Sequence, residues 1–152
     1  MLGGIGATVR VRVRSAGGRR GQAQCRIDIL PRVPAPGVFT CVAGGFRLRS
    51  YALRDIDMAC IDDVCTRLQW SPRERLLIVG HADRHERNPH HIGLKRAGRA
   101  AIYAVDYRDL PRARIRIASA GAARPLDEGQ GSAARARNRR VELTIFALPV
   151  PA

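Results

Sequence analysis

The run Leu76-Leu77-Ile78-Val79, stopped by Gly80 and followed by His81, Ala82 and Asp83, constrains this chain more than any other stretch. Four unbroken apolar residues predict a strand buried on both faces, and such a strand belongs in the middle of its sheet. The glycine ends the strand and delivers a histidine and an aspartate to the sheet edge. Strand-end loops often carry binding groups, because the scaffold fixes them while solvent still reaches them. Taken alone, the stretch also reads as a plain turn in which Asp83 caps the next helix.

The neighbouring periodicities supply the rest of the fold. Val9 to Arg14 alternates valine with arginine, and Cys25 to Leu30 alternates again. Together they predict a β-hairpin with Arg26 and Asp28 on the solvated face beside Arg12 and Arg14. Pro31, Pro34 and Pro36 break the chain, Val38 to Val42 is a further short strand, and Gly44-Gly45 marks the expected domain boundary. Residues 1–43 are therefore read as an N-terminal β-hairpin and extended region, and residues 44–148 as the main domain. Within the main domain, Phe46 to Arg49 reads as a short strand with Phe46 and Leu48 inward. Leu53, Ile56, Cys60, Val64 and Leu68 form the buried stripe of a helix, and Asp55 and Asp57 suit its first turn. Residues 84–90 are polar loop. Leu94, Ala97, Ala101 and Val105, with Ile102 alongside, mark a second helix. Ala113, Ile115 and Ile117 form a third strand, residues 121–132 a long loop, and Val141, Leu143 and Ile145 the last strand. This order predicts an α+β fold, a two-layer α/β sandwich in which a mixed four-stranded sheet carries two helices on one face.

Composition narrows the function. The 152 residues suffice for one domain with a core and a small appendage. No apolar run approaches the roughly 20 residues of a membrane span. Residues 1–9 lack the basic start and long apolar centre of a signal peptide, so the signal of an exported protein would be upstream or already removed. The net charge of +14, from 27 basic and 13 acidic residues, favours anionic partners: nucleic acid, an anionic envelope polymer or a membrane surface. The charge is spread along the chain rather than gathered in a basic tail. No aromatic interleaves the Arg10, Arg12, Arg14 ladder to stack a base, so nucleic acid is not the expected partner. The four cysteines Cys25, Cys41, Cys60 and Cys65 allow three full pairings. Five helical positions turn the chain by about 500°, which separates Cys60 from Cys65. Cys25 with Cys41, or four buried free thiols, remain open. His81, His85, His90 and His91 with Glu86 fit no ligand template, so no metal or other cofactor is expected. No nucleophile–base arrangement points to catalysis, and the chain is not read as an enzyme.

Three passages resemble the OmpA-like peptidoglycan-binding domain. Phe46-Arg47-Leu48-Arg49-Ser50-Tyr51-Ala52-Leu53 is similar to the family's F-x-F-x-S-x-x-L. Gly80-His81-Ala82-Asp83 is similar to its G-H-T-D. Arg135 to Glu142 is similar to its closing G-R-x-x-N-R-R-V-E, with Ala134 in place of the glycine. The resemblance spans about residues 44–148 and implies the element order β-α-β-α-β-β.

The resemblance also implies a site for diaminopimelate in the peptide stem of peptidoglycan, where an aspartate meets the ligand's ammonium and an arginine its carboxylate. Asp83 takes the aspartate's place, with Arg139 supporting the pocket and Asn138 beside it. The family helix reads N-x-x-L-S-x-x-R-A. Counted from Asp83 without gaps, its asparagine falls on His91, its serine on Lys95 and its arginine on Gly98. His91, Lys95 and Arg99 are four apart and share one side of the helix. A one-residue slip puts Arg99 in the arginine's role, with Lys95 within reach. The other reading is a diverged site. The expected function is therefore a non-catalytic, periplasm-facing and outer-membrane-associated envelope protein. It would bind peptidoglycan and anchor an assembly such as a secretion system or motor, with envelope proteins as further partners. The alternative is a diverged scaffold that has left peptidoglycan and binds a protein or nucleic acid through its basic surface.

Overall fold

The computed structural model describes residues 7–14, 20–27 and 39–148. The chain divides into two compact units, Met1–Pro34 and Ala35–Ala152. In the first, β1 (Ala7–Arg14) pairs antiparallel with β2 (Arg20–Ile27). The expected hairpin is present, but its second strand starts earlier than Cys25. The alternation extends back through Ala23 and Gly21, whose small side chains carry little hydrophobic signal. Arg12 therefore stands opposite Gln22, and Arg26 opposite Thr8, while Asp28 lies outside the described residues.

The second unit is an α+β sandwich. Its mixed four-stranded sheet runs in the order β3 (Phe39–Gly44), β6 (Arg140–Ala147), β4 (Glu74–His81), β5 (Ile115–Gly121). β4 lies inside the sheet, antiparallel to β6 and parallel to β5. Leu76 and Ile78 are fully buried, whereas Leu77 and Val79 are half-buried. This corrects the expectation of burial on both faces: the helices cover one face, and the other stays partly open. β3 pairs along its whole length with β6, so the strand just before the expected boundary belongs to this sheet.

Phe46 to Arg49 is not a strand. Gly45 turns the chain at φ 81°, and the Gly45 and Phe46 amides both donate to the Arg139 carbonyl, at 3.0 and 3.1 Å. Phe46 is buried as expected, but Leu48 is exposed.

α1 (Asp55–Gln69) buries Ile61, Val64, Cys65 and Leu68. Ile56, expected in the stripe, is exposed, because its neighbour Asp57 is the residue turned inward. Asp57 accepts the Arg54 backbone N–H at 2.9 Å and its Nε at 3.0 Å, and Arg54 Nη2 also donates to the Gly44 carbonyl. The helix start is thereby fastened to the end of β3. A Cys41–Cys60 disulfide joins the same two elements. Neither the Cys25–Cys41 bridge nor four free thiols is therefore the outcome. Cys65 is free, and burial pushes its thiol up to about 11.

α2 (Pro89–Asp106) turns Gly93, Arg96, Ala97, Ala100 and Ala104 inward. Leu94 and Ile102, expected on the buried face, are exposed. The inward face is turned by about one residue, roughly 100°, from the apolar pattern. Close approach is the reason. A Cβ on Gly80 would lie 1.7 Å from the Gly93 carbonyl oxygen, and one on Gly93 would lie 2.5 Å from Ser119 Oγ. A helix this near the sheet presents small residues to it, and larger apolar ones turn away.

The remaining departures are short. Arg112–Arg114 is a 3-10 turn rather than the start of β5, and Arg114 Nη2 donates to the Leu68, Ser71 and Glu74 carbonyls at 3.0, 2.6 and 3.0 Å. A third helix, α3 (Ser132–Asn138), follows the long loop. Gly80→Ala is expected to destabilise the domain by about 3 kcal/mol or more, since backbone rather than a movable side chain blocks the methyl. Urea denaturation checks this.

Candidate functional site

β4 ends at His81, and Ala82 extends its line by donating to the Gly121 carbonyl at 2.9 Å. Asp83 follows, 1% exposed. It is not a helix cap: α2 begins only at Pro89, after Asn88. Its Oδ1 lies 3.3 Å from His85 Nδ1, and its Oδ2 is buried with no hydrogen-bond partner.

Three residues on, the turn closed by the Glu86 N–H on the Asp83 carbonyl sends the Glu86 side chain inward. Its carboxylate takes four N–H donors. Oε1 accepts from the Arg49 amide and Arg96 Nη2, both at 2.7 Å, and Oε2 from the Asp83 amide at 3.0 Å and Arg96 Nη1 at 2.7 Å. Burial works to raise the Glu86 pKa. The Arg96 guanidinium and the two backbone amides outweigh it and hold the carboxyl below its ordinary value.

Arg96 is fully buried. Besides its two bonds to Glu86, Nε donates to the Ser50 carbonyl at 2.9 Å, Nη1 to His81 at 2.9 Å and Nη2 to Arg47 at 3.3 Å. A guanidinium has five N–H donors, and all five are used. Its carbon also sits 5.3 Å from the centre of the Phe46 ring. Three non-glycine residues among those described have positive φ, and two of them border this arrangement: Arg49 at 56° and Asn88 at 53°. The Arg49 backbone, held in that uncommon conformation, aims its amide at Glu86.

His81 is buried with neither ring nitrogen hydrogen-bonded. Burial and the Arg140 charge push its pKa down, although Glu142 Oε2 lies 3.5 Å away and opposes them. Arg140 itself pairs with Glu142 Oε1 through Nε and Nη2, at 2.8 and 2.6 Å.

The other expected site residues occupy different surroundings. Asn138 is buried and holds the preceding loop: Oδ1 accepts the Leu126 and Asp127 amides at 2.7 and 2.9 Å, and Nδ2 donates to the Asp127 carbonyl at 2.7 Å. Asn138 also lines a cavity of about 130 Å³ with Ala82, Arg84 and Asp127. Arg139 donates Nε to the Phe46 carbonyl. His91, Lys95 and Arg99 do share one side of α2, on its exposed surface, where they line a groove with Tyr51. Lys95 Nζ and Arg99 Cζ stand 6.0 and 5.8 Å from the Tyr51 ring centre. The cation buried against the end of β4 is Arg96, from α2. Among the described residues no three His, Cys, Asp or Glu side chains are placed to hold a metal ion.

The sequence reading gave Glu86 and Arg96 no part in this arrangement, and one signal was present for Arg96. Arg96-Ala97 also fits the R-A that closes the family's helix pattern, two residues before the place an ungapped count assigns. A loop two residues shorter after Asp83 restores the register, with Ile92 and Gly93 at the pattern's L-S positions.

Known proteins resemble this chain in sequence and in fold. The model of the OmpA family matches residues 46–139. The peptidoglycan-associated lipoprotein from Burkholderia pseudomallei is 26% identical with a TM-score of 0.61, over 67% of this chain and 87% of its own. The cell wall anchor of the T6SS from Pseudomonas aeruginosa is 22% identical with a TM-score of 0.62, over 73% and 82%. The periplasmic domain of Helicobacter pylori MotB is 16% identical with a TM-score of 0.61, over 72% and 76%. The last two are likenesses of fold. No curated protein sequence matches the chain.

Arg96→Met is expected to cost about 3–5 kcal/mol, because it leaves Glu86 buried and unpaired. Adding Glu86→Gln should recover part of that loss, as a double-mutant cycle by urea denaturation will show. Glu86 also sets a pH dependence. Its carboxyl is held low in the folded state, so its contribution is present above the ordinary carboxylate range and is lost as pH falls through and below about 4.5. Glu86→Gln should flatten that acid limb in stability measured from pH 6 to about pH 3.

Proposed function

The chain belongs to the OmpA family, and on that premise we propose that it is a non-catalytic cell-envelope module that holds peptidoglycan and so anchors an assembly. The observation that carries the reading is the Asp83 carboxylate. It stands at the end of an interior strand, inside the matched region, with one buried oxygen that no group of the protein satisfies. A buried unpaired carboxylate oxygen is costly, and a ligand ammonium would supply the missing partner. In this reading Asp83 receives the ammonium of diaminopimelate in the stem peptide, and Arg96, rather than Arg99, is the cation on the carboxylate side. Asn138 acts by shaping the adjoining loop, and Arg139 by fixing the Phe46 segment. His91, Lys95 and Arg99 offer a cationic outer face for a second contact with the polymer or with an envelope protein.

Two further facts support an envelope location. The Cys41–Cys60 disulfide suits an oxidising compartment such as the periplasm. The similar structures include a peptidoglycan-associated lipoprotein and a cell wall anchor. No helix among the described residues is long and apolar enough to cross a membrane.

One observation favours a second reading. All five Arg96 donors are already used within the protein, as expected of a scaffold that has given up the ligand and engages a protein or nucleic acid through its basic surface. Sedimentation with purified sacculi separates the two. Wild type should pellet, and Asp83→Ala should lose at least tenfold in affinity, about 1.4 kcal/mol, while keeping its circular dichroism. No pelleting of wild type, with binding to duplex DNA that falls steeply with salt, would favour the second reading.

A further inference from the structure

We propose that Glu86 is a built-in competitor: its carboxylate fills a carboxylate receptor, and an outside ligand's carboxylate binds there only when Glu86 withdraws. The inference rests on the reading of this strand end as the ligand site, and it adds what controls entry to that site.

The receptor is defined by its donors rather than by Glu86. Arg96 supplies a planar fork through Nη1 and Nη2, and the Asp83 and Arg49 amides supply two further N–H groups. A guanidinium fork matches the two oxygens of any carboxylate, whatever that carboxylate is attached to. The donors come from three separate segments, and Arg96 is held in place from behind by the Ser50, His81 and Arg47 carbonyls. Those backbone contacts do not depend on Glu86, so the fork stays aimed when Glu86 leaves.

Glu86 reaches this receptor from the solvent side. Arg84, His85, Arg87 and Asn88 around it are all exposed, and Glu86 is the one residue of that segment turned inward. When its side chain swings out, the route it vacates opens to solvent. Asp83 gives its own amide to the receptor, and its carboxylate oxygen Oδ2 is buried and unpartnered. The same strand end thus offers a cationic receptor and an unsatisfied anionic oxygen, the polarity of an amino-acid zwitterion. Only the carboxylate half is filled from within. A carboxylate tethered by a short turn acts at high effective concentration, so a free one competes poorly until the tethered one is removed.

The test uses the full chain as wild type, Glu86→Ala and Glu86→Gln, titrated with sodium acetate and with diaminopimelate, with sodium chloride at equal ionic strength as control. Amide shifts of Asp83 and Arg49 by NMR and the melting temperature are recorded. Glu86→Ala should bind acetate and diaminopimelate at least tenfold more tightly than wild type, moving both amides. Its melting temperature should rise with acetate while that of wild type stays level. Glu86→Gln keeps the side-chain shape without the charge. It should also gain affinity, and it decides the matter alone if Glu86→Ala does not fold. Folded variants that bind neither compound better than wild type overturn the proposal. Sacculus sedimentation of the same proteins keeps the two ideas apart. Acetate binding by Glu86→Ala with no sacculus retention in any variant would retire peptidoglycan and uphold the competitor. Asp83-dependent retention of wild type, with no gain in either Glu86 variant, would do the reverse.

Discussion

Arg96 carries a full positive charge into a place with no solvent contact, and each of its N–H groups finds an oxygen there. Those oxygens belong to the Arg47–Ser50 turn, the last residue of β4 and the loop that opens α2. One side chain therefore fixes the relative positions of three segments that no ladder of backbone hydrogen bonds connects. Removing charge from water is expensive, and here every donor is satisfied and a nearby carboxylate offsets the cost. The turn after β3, with Arg49 at positive φ, and the loop after Asp83 are both shaped to meet that demand.

The packing beneath it explains how a long cation reaches so far in. Gly80 and Gly93 bring α2 against β4 with no side chain between them, and the alanines at 97, 100 and 104 continue the close contact. Arg96 lies on the same inward face, one turn from Gly93, and passes beyond the end of the strand where the sheet stops. Gly80, one residue before the end of β4, thus has two effects. It brings the helix in, and it sets the depth at which the guanidinium meets Glu86.

Much of this was legible in the sequence. The apolar run 76–79 placed the interior strand, the alternation at 141–145 marked the last strand, and the periodicities and the three motif passages agreed on the order of the main elements. Part of what was misread shares one cause: residues that are buried for reasons other than being large and apolar. Asp57 and Arg96 are inward because they are paired, so apolar periodicity put Ile56, Leu94 and Ile102 on the wrong side of their helices. Phe46 is buried from a turn rather than a strand, which a two-residue alternation cannot distinguish. The ungapped count from Asp83 passed over Arg96, the arginine that is buried and paired with Glu86 beside the end of β4. The Cys41–Cys60 pairing depends on β3 lying over α1, a proximity that no local pattern encodes.

β3 is an edge strand, hydrogen-bonded only to β6, and it leads into the domain from the N-terminal side. The cystine between its third residue and the middle of α1 changes how such a strand responds to tension. A pull arriving from upstream would otherwise peel the edge away one hydrogen bond at a time. Here it passes at Cys41 into a covalent link and is delivered to a helix packed across the core. Beyond Cys41, the edge strand cannot unzip from a pull on its N-terminal side.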